Sequence, residues 1–245
     1  MLTNRQIKLI NSLHSKKGRI DNQLFLVEGE KAILELVNSK VPIEFLVISD
    51  WQAAKYTELI KQVDVYIEDE TNITKLSSLV TNTFGFAVVS MKYFSFDLTY
   101  SNEVTVVLDG IRDPGNLGTI IRICDWYGVK QILLSPDCTD FFNPKTISAS
   151  MGSYVRVNFQ YQELAEVFES NPSIPVLGAL LEGSDVHSTK FPNSVFLLFG
   201  NESTGIREEN MKYITQKVTI PRYGMAESLN AGISTAIFLD NLKRN

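Results

Sequence analysis

Short apolar runs and longer amphipathic stretches alternate along the chain. Near the N-terminus, Ile7, Leu9, Ile10 and Leu13 recur at helical spacing over "TNRQIKLINSLH", which predicts a helix. "QLFLVEG" and "IEFLVIS" are short runs rich in branched and aromatic residues and predict strands, with a helix over "EKAILELVNS" between them. A further helix is expected over "AAKYTELIKQ" and a strand at "DVYIE", and this α/β unit closes near "GFAVVSMKY". It is assigned residues 1–93. Residues 94–102, "FSFDLTYSN", have no clear period and are assigned as a linker.

From Glu103 the rhythm becomes strand then helix, repeated. "VTVVLD", "QILLS", "YVRVNF", "IPVLGAL", "SVFLLFG" and "KVTIP" predict strands. "NLGTIIRICDWYG", "NPKTISASMGS", "YQELAEVFES" and "STGIREENMKYI" predict helices, and the closing helix sets Leu229, Ile233, Ala236 and Ile237 on one face. Apolar strands alternating with helices imply an α/β fold over 103–245, with a mostly parallel sheet covered by helices on both faces. Ligands in such sheets sit beyond the carboxyl ends of the strands, so the loops entering the helices hold the candidate chemistry.

Composition narrows the setting. In 245 residues, 44% hydrophobic and 21% charged, there is ample material for one large core or two modest ones. No apolar run is long enough for a membrane helix, and the first residues lack a signal-peptide core. Cys124 and Cys138 are the only cysteines, which predicts a reduced cytoplasmic setting and no metal site. The net charge of −5 excludes a protein coated in basic charge but not a local basic patch. Arg5, Lys8, Lys16, Lys17, Arg19 and Lys31 crowd the first 31 residues, as either a solvated face or a surface for RNA.

Three loops stand out. In "LDGIRDPGNLGTIIRICDWYG", Pro114-Gly115 marks a turn and Asn116 is placed to cap the following helix. Arg122 lies between Ile121 and Ile123, where a guanidinium needs an anionic or carbonyl partner. In "FLLFGNESTGIREEN", Gly200 and Gly205 permit close backbone approach, but the glycine spacing is wrong for a phosphate loop and no lysine follows. No GxGxxG occurs anywhere. In "IPRYGMAESLN", Pro221 and Gly224 precede Glu227, Ser228 and Asn230, and Ser228 is the expected cap of the last helix.

Taken in order, "NLGTIIR", "LFGNESTGI" and "IPRYGMAESLN" resemble the three motifs of the SpoU (TrmH-type) branch of the SPOUT RNA methyltransferases, over about residues 104–243. "SLHSKKGRIDNQLFLVEGEKAILEL" is similar to the ribosomal-protein-like substrate-binding domain that many members carry. The resemblance implies transfer of a methyl group from S-adenosylmethionine to a ribose 2′-hydroxyl, most readily in ribosomal RNA. It also implies a homodimer built through the C-terminal domain and a C-terminal trefoil knot, a rare exception to ordinary chain topology. By the same resemblance Asn116, Arg122, Glu202, Ser228 and Asn230 form the catalytic side, and the backbone at Ala179, Gly200, Ile220 and Leu229 holds the methyl donor. Lys16, Lys17 and Arg19 become candidate RNA contacts. The alternatives are a transfer-RNA methyltransferase and a non-catalytic RNA-binding protein with the same fold.

Overall fold

The continuous apolar runs form the strands of two sheets. The structure, a computed structural model, describes residues 1–39, 41–57, 61, 63–94, 97–201 and 203–244. It divides into two units, Met1–Phe94 with Asp140–Val155, and Ser95–Thr139 with Arg156–Asn245.

In the first unit, α1 (Asn4–Leu13) opens with a capping box. Thr3 N–H donates to Gln6 Oε1 at 2.8 Å and Gln6 N–H to Thr3 Oγ1 at 3.3 Å. Ser15 caps α2 (Lys16–Asn22) by accepting from Gly18 N–H. Then come β1 (Leu24–Glu28), α3 (Glu30–Asn38), β2 (Ile43–Ile48), α4 (Asp50–Lys55), β3 (Val65–Ile67), α5 (Glu70–Leu76) and β4 (Gly85–Ser90). The sheet order is β1-β4-β2-β3, with β4 antiparallel to β1 and β2, and β3 parallel to β2. Ile10, Leu13, Ile73 and Leu76 pack against Leu26, Val47, Phe86 and Val88. The helix expected over 53–62 begins earlier, at Asp50, and its positions 58–60 and 62 lie outside the described residues.

The second unit starts with β5 (Val104–Asp109), α6 (Pro114–Trp126) and β6 (Gln131–Leu134). The chain then passes through α7 (Pro144–Ala149), which belongs to the first unit. It continues with β7 (Asn158–Tyr161), α8 (Leu164–Ser170), β8 (Val176–Asp185), β9 (Val195–Gly200), α9 (Glu208–Met211), β10 (Gln216–Thr219) and α10 (Ala231–Arg244). The sheet order is β10-β8-β9-β5-β6-β7, and each neighbouring pair is parallel. Strands such as β9 are apolar at almost every position because both faces are covered. Among the described residues no helix is long and apolar enough to cross a membrane.

Several local expectations change. "YVRVNF" is split: Ser153–Val155 is a 3-10 turn and the strand begins at Asn158. Only Glu208–Met211 of "STGIREENMKYI" is helical. The inner face of α10 carries Ala231, Thr235, Phe238 and Leu239, whereas Ile233 is 51% exposed. The stripe read from Leu229, Ile233, Ala236 and Ile237 is therefore not the one facing the core. Gly232 explains the close seat of this helix: a Cβ there would lie 3.1 Å from Thr119 Cγ2 on α6.

The segment Asp140–Val155 completes the core of the first unit. Phe25 packs edge-to-face with Phe94 and Tyr154 and tilted against Phe142, at centroid distances of 5.4, 6.2 and 4.6 Å. Arg19, only 2% exposed, donates from Nε and Nη2 to Asp140 Oδ2 at 2.8 and 2.6 Å and from Nη1 to Leu13 O at 2.8 Å. Gly152, at φ +94°, lies so close to Glu35 that a Cβ would be 2.6 Å from its Cγ.

Candidate active site

The middle of β8 and the carboxyl ends of β9 and β10 line an open cleft of ≈ 1140 Å³ in the second unit. Ala179 comes from β8, Gly200 from the end of β9, Ile220 from the end of β10, and Ser228 and Leu229 from the approach to α10; all five line the cleft. The four positions expected to hold a methyl donor are thus brought to one cavity, together with Ser228. The turn after β9 is tight because Gly200 has no side chain: a Cβ there would lie 2.1 Å from the carbonyl carbon of Gly205. Gly205 itself sits at φ +68°, where other residues are strained. Glu202 lies outside the described residues.

Beside the cleft, the first and third motifs meet. Asp113, not Asn116, caps α6, its Oδ1 accepting from Asn116 N–H at 2.8 Å. The Asn116 side chain is left to reach Asn230, whose Nδ2 donates to Asn116 Oδ1 at 2.8 Å. The other end of the Asn230 amide caps α10: its Oδ1 accepts from Gly232 N–H at 2.9 Å and Ile233 N–H at 3.3 Å. Asn230 therefore takes the capping place expected for Ser228, which is exposed along with residues 222–230 as a whole. One amide fixes the helix start and the contact to α6 at once. Arg122 is exposed further along α6 and makes no ion pair with a described residue.

In the first unit, Lys16 and Lys17 are exposed on α2. Arg19, expected with them at an RNA surface, is buried against Asp140 and Leu13 O, so it is unavailable to a ligand at that surface.

One cluster escaped the sequence reading. Asp109, the last residue of β5, is fully buried and accepts from Arg207 N–H, Arg207 Nε and Nη2, and Asn210 Nδ2, at 2.9, 2.6, 2.6 and 2.9 Å. Burial alone would lower the Arg207 pKa, but the hydrogen bonds and charge of Asp109, with Asp137 and Glu209, outweigh it and raise the value. An acidic residue ending an apolar strand was the available signal, since a buried carboxylate requires cationic or amide partners. Among the described residues, no group of three or more His, Cys, Asp or Glu could hold a metal ion.

The SpoU rRNA Methylase family model matches residues 103–240. The chain belongs to this family. All of the motif residues, Asn116 to Asn230, fall inside the SpoU match, and the MRM3-like substrate binding domain model matches residues 4–83. Over 243 residues the chain is 28% identical to the 23S rRNA (guanosine(2553)-2′-O)-methyltransferase RlmP of Bacillus subtilis, covering 98% of this chain and 96% of that protein. A solved TrmH-family structure from Porphyromonas gingivalis is similar over the whole of both chains, with 31% identity and a TM-score of 0.88. The AdoMet-bound rRNA methyltransferase structure from Sinorhizobium meliloti follows at 29% identity and TM-score 0.86, over 100% of this chain and 96% of that one. The parallel sheet flanked by helices is the SPOUT methyltransferase architecture.

Proposed function

We propose that this SpoU-family chain methylates a ribose 2′-hydroxyl of ribosomal RNA, with S-adenosylmethionine as donor. The observation that carries the proposal is the Asn116–Asn230 hydrogen bond beside a cleft lined by Ala179, Gly200, Ile220 and Leu229. Support also comes from the similar proteins, one a 23S rRNA 2′-O-methyltransferase and one an AdoMet-bound rRNA methyltransferase.

The cleft suits the donor chemically. Leu180, Ile220 and Leu229 offer apolar surface for a nucleoside ring, and the strand ends offer backbone amides and carbonyls. Among the described residues its charged lining is balanced, Arg207, Lys217 and Arg222 against Glu182, Glu208 and Glu227, with no cluster of cations of the kind a phosphate-bearing cofactor needs. When bound, the donor supplies an electrophilic methyl group on its sulfonium sulfur.

The rest falls to the chain's own residues. A 2′-hydroxyl is a weak nucleophile, so its proton must leave as the oxygen attacks, and the developing negative charge needs stabilisation. Arg122 acts by charge, gripping a neighbouring phosphate or the developing oxyanion. Asn116 and Asn230, already bonded to each other, hold the ribose through amide groups, with Ser228 at the cleft wall and Glu202 orienting Arg122 or Asn116. In-line placement of the oxygen can supply up to ~7–11 kcal/mol.

The working form is a homodimer in a cytoplasmic setting. Exposed apolar side chains on α6 and before and on α10, Trp126, Leu229 and Ile233, support dimerisation, and the two buried free thiols support a reducing compartment. The closing segment is threaded as a trefoil knot, and Lys16 and Lys17 contact RNA phosphates. Incubation with methyl-tritiated donor and either ribosomal or transfer RNA tests the reading. Label in ribosomal RNA is expected; label in transfer RNA alone would move the substrate, and none in either would overturn the activity.

A further inference from the structure

The order of the six-stranded sheet reverses where β9 and β6 flank β5. At that switch point Asp109 and Gly200 are register partners at the carboxyl ends of β5 and β9. Ligand crevices in parallel sheets open at such points. Asp109 itself is fully buried, so any effect it has on a ligand must pass through another residue.

The residues through which it acts are visible. On both sides of residues 203–206 the chain is tied to the end of β5, at Asp109 and at Gly110 just beyond it. At the start, Asn201 Nδ2 donates to Gly110 O at 2.7 Å. Beyond the end, Arg207 binds Asp109 through its guanidinium and also through its backbone N–H. A core ion pair needs only the guanidinium; the added backbone bond fixes the main chain where it leaves the turn. Inside, Asn201 and Gly205 exchange backbone bonds of 3.1 and 2.8 Å, and Asn201 Oδ1 accepts from Ser203 N–H at 2.9 Å. Ser203, Thr204 and Gly205 line the cleft.

We infer that Asp109 is a positioning residue for the methyl donor: by anchoring Arg207 it holds residues 203–206 as a shaped wall of the cleft. The inference rests on the reading of that cleft as the donor pocket. Asp109 is not a catalytic residue, and its loss acts on donor affinity rather than on the chemical step or on RNA binding.

The test measures S-adenosylmethionine affinity by calorimetry on the full chain, with KM for donor and RNA and kcat at saturating donor. Asp109→Asn turns an amide N–H₂ toward donors that need an acceptor. It is expected to raise donor Kd and KM at least about tenfold, equivalent to about 1.4 kcal/mol, with the RNA KM unchanged. Arg207→Ala, which keeps the backbone bond, raises donor Kd by a smaller factor, and Arg207→Lys recovers part of that loss. The double variant is no worse than Asp109→Asn alone, because both changes break one link. Should Asp109→Asn fail to fold, the Arg207 pair decides. Donor affinity within threefold of wild type in the folded variants, whatever their melting temperature, would overturn the inference alone. A wild-type chain that binds no donor would overturn the pocket reading, and this inference with it.

Discussion

Replacing Asp140 by alanine strands the guanidinium of Arg19 inside the first unit. Arg19 is 2% exposed and Asp140 13%, so water cannot take the place of the lost carboxylate. Two of the three Arg19 hydrogen bonds disappear, leaving only the one to Leu13 O. Asp140 Oδ1 also accepts from Phe142 N–H at 3.0 Å, and that bond is lost too. Removing one partner of a buried ion pair destabilises by about 3–5 kcal/mol. For a chain of this size, each kcal/mol moves the melting temperature by about 2–4 °C, which gives a fall of roughly 6–20 °C. Thermal and urea unfolding followed by circular dichroism measures the total. Hydrogen exchange on peptides spanning 12–28 and 140–155 locates it, because both segments belong to the same unit. The double variant Arg19→Met with Asp140→Leu removes both charges and should recover much of the loss. A loss below about 1 kcal/mol in Asp140→Ala, relative to the buried-pair range, would show that Arg19 is not buried as described and would return it to the candidate RNA surface.

Three further outcomes follow from the same geometry. Asn230→Ala removes both the α10 cap and the contact to Asn116, so it should cost about 0.5–2 kcal/mol from the cap alone and abolish most methyl transfer; near-normal turnover would separate Asn230 from the site. Lys16→Gln with Lys17→Gln should flatten the salt dependence of RNA binding by up to about two units of log–log slope, as measured by filter binding, without changing the melting temperature. Burial pushes the thiols of Cys124 and Cys138 up, so neither should react with a disulfide reagent at pH 8 until denaturant is added. Because the unfolded thiols release protons above about 8.5 and the folded ones do not, stability contributed by these groups is present below that pH and falls as pH rises past it; a flat stability profile between pH 8 and 10 would contradict the burial.

The strands were legible because β5, β6 and β9 are continuous apolar runs bounded by turn residues, and nothing else of that length competes. Caps were harder. Asp113 and Asn116 are both good capping residues three positions apart, as Ser228 and Asn230 are two apart, and local propensity does not choose between them. Tertiary contact decides: Asn116 and Asn230, 114 residues apart, need their side chains for each other. The burial of Arg19 depends on a carboxylate 121 residues away, in a segment whose own pattern assigns it to the strand–helix alternation of the second half. The three motifs were readable as a set because their order and spacing carry information that no single loop carries. Asp109 shows the opposite case, a residue whose meaning is set entirely by Arg207 and Asn210.

The central claim is methyl transfer to a ribose oxygen, and the bond formed can be read directly. Ribosomal RNA labelled from methyl-tritiated donor by the purified chain is hydrolysed in alkali, which needs a free 2′-hydroxyl at each cleaved position. Label recovered in an alkali-stable dinucleotide is the predicted result, with Arg122→Ala and Asn230→Ala reducing it sharply. Label recovered in single nucleotides would mean a methylated base, and would contradict the account.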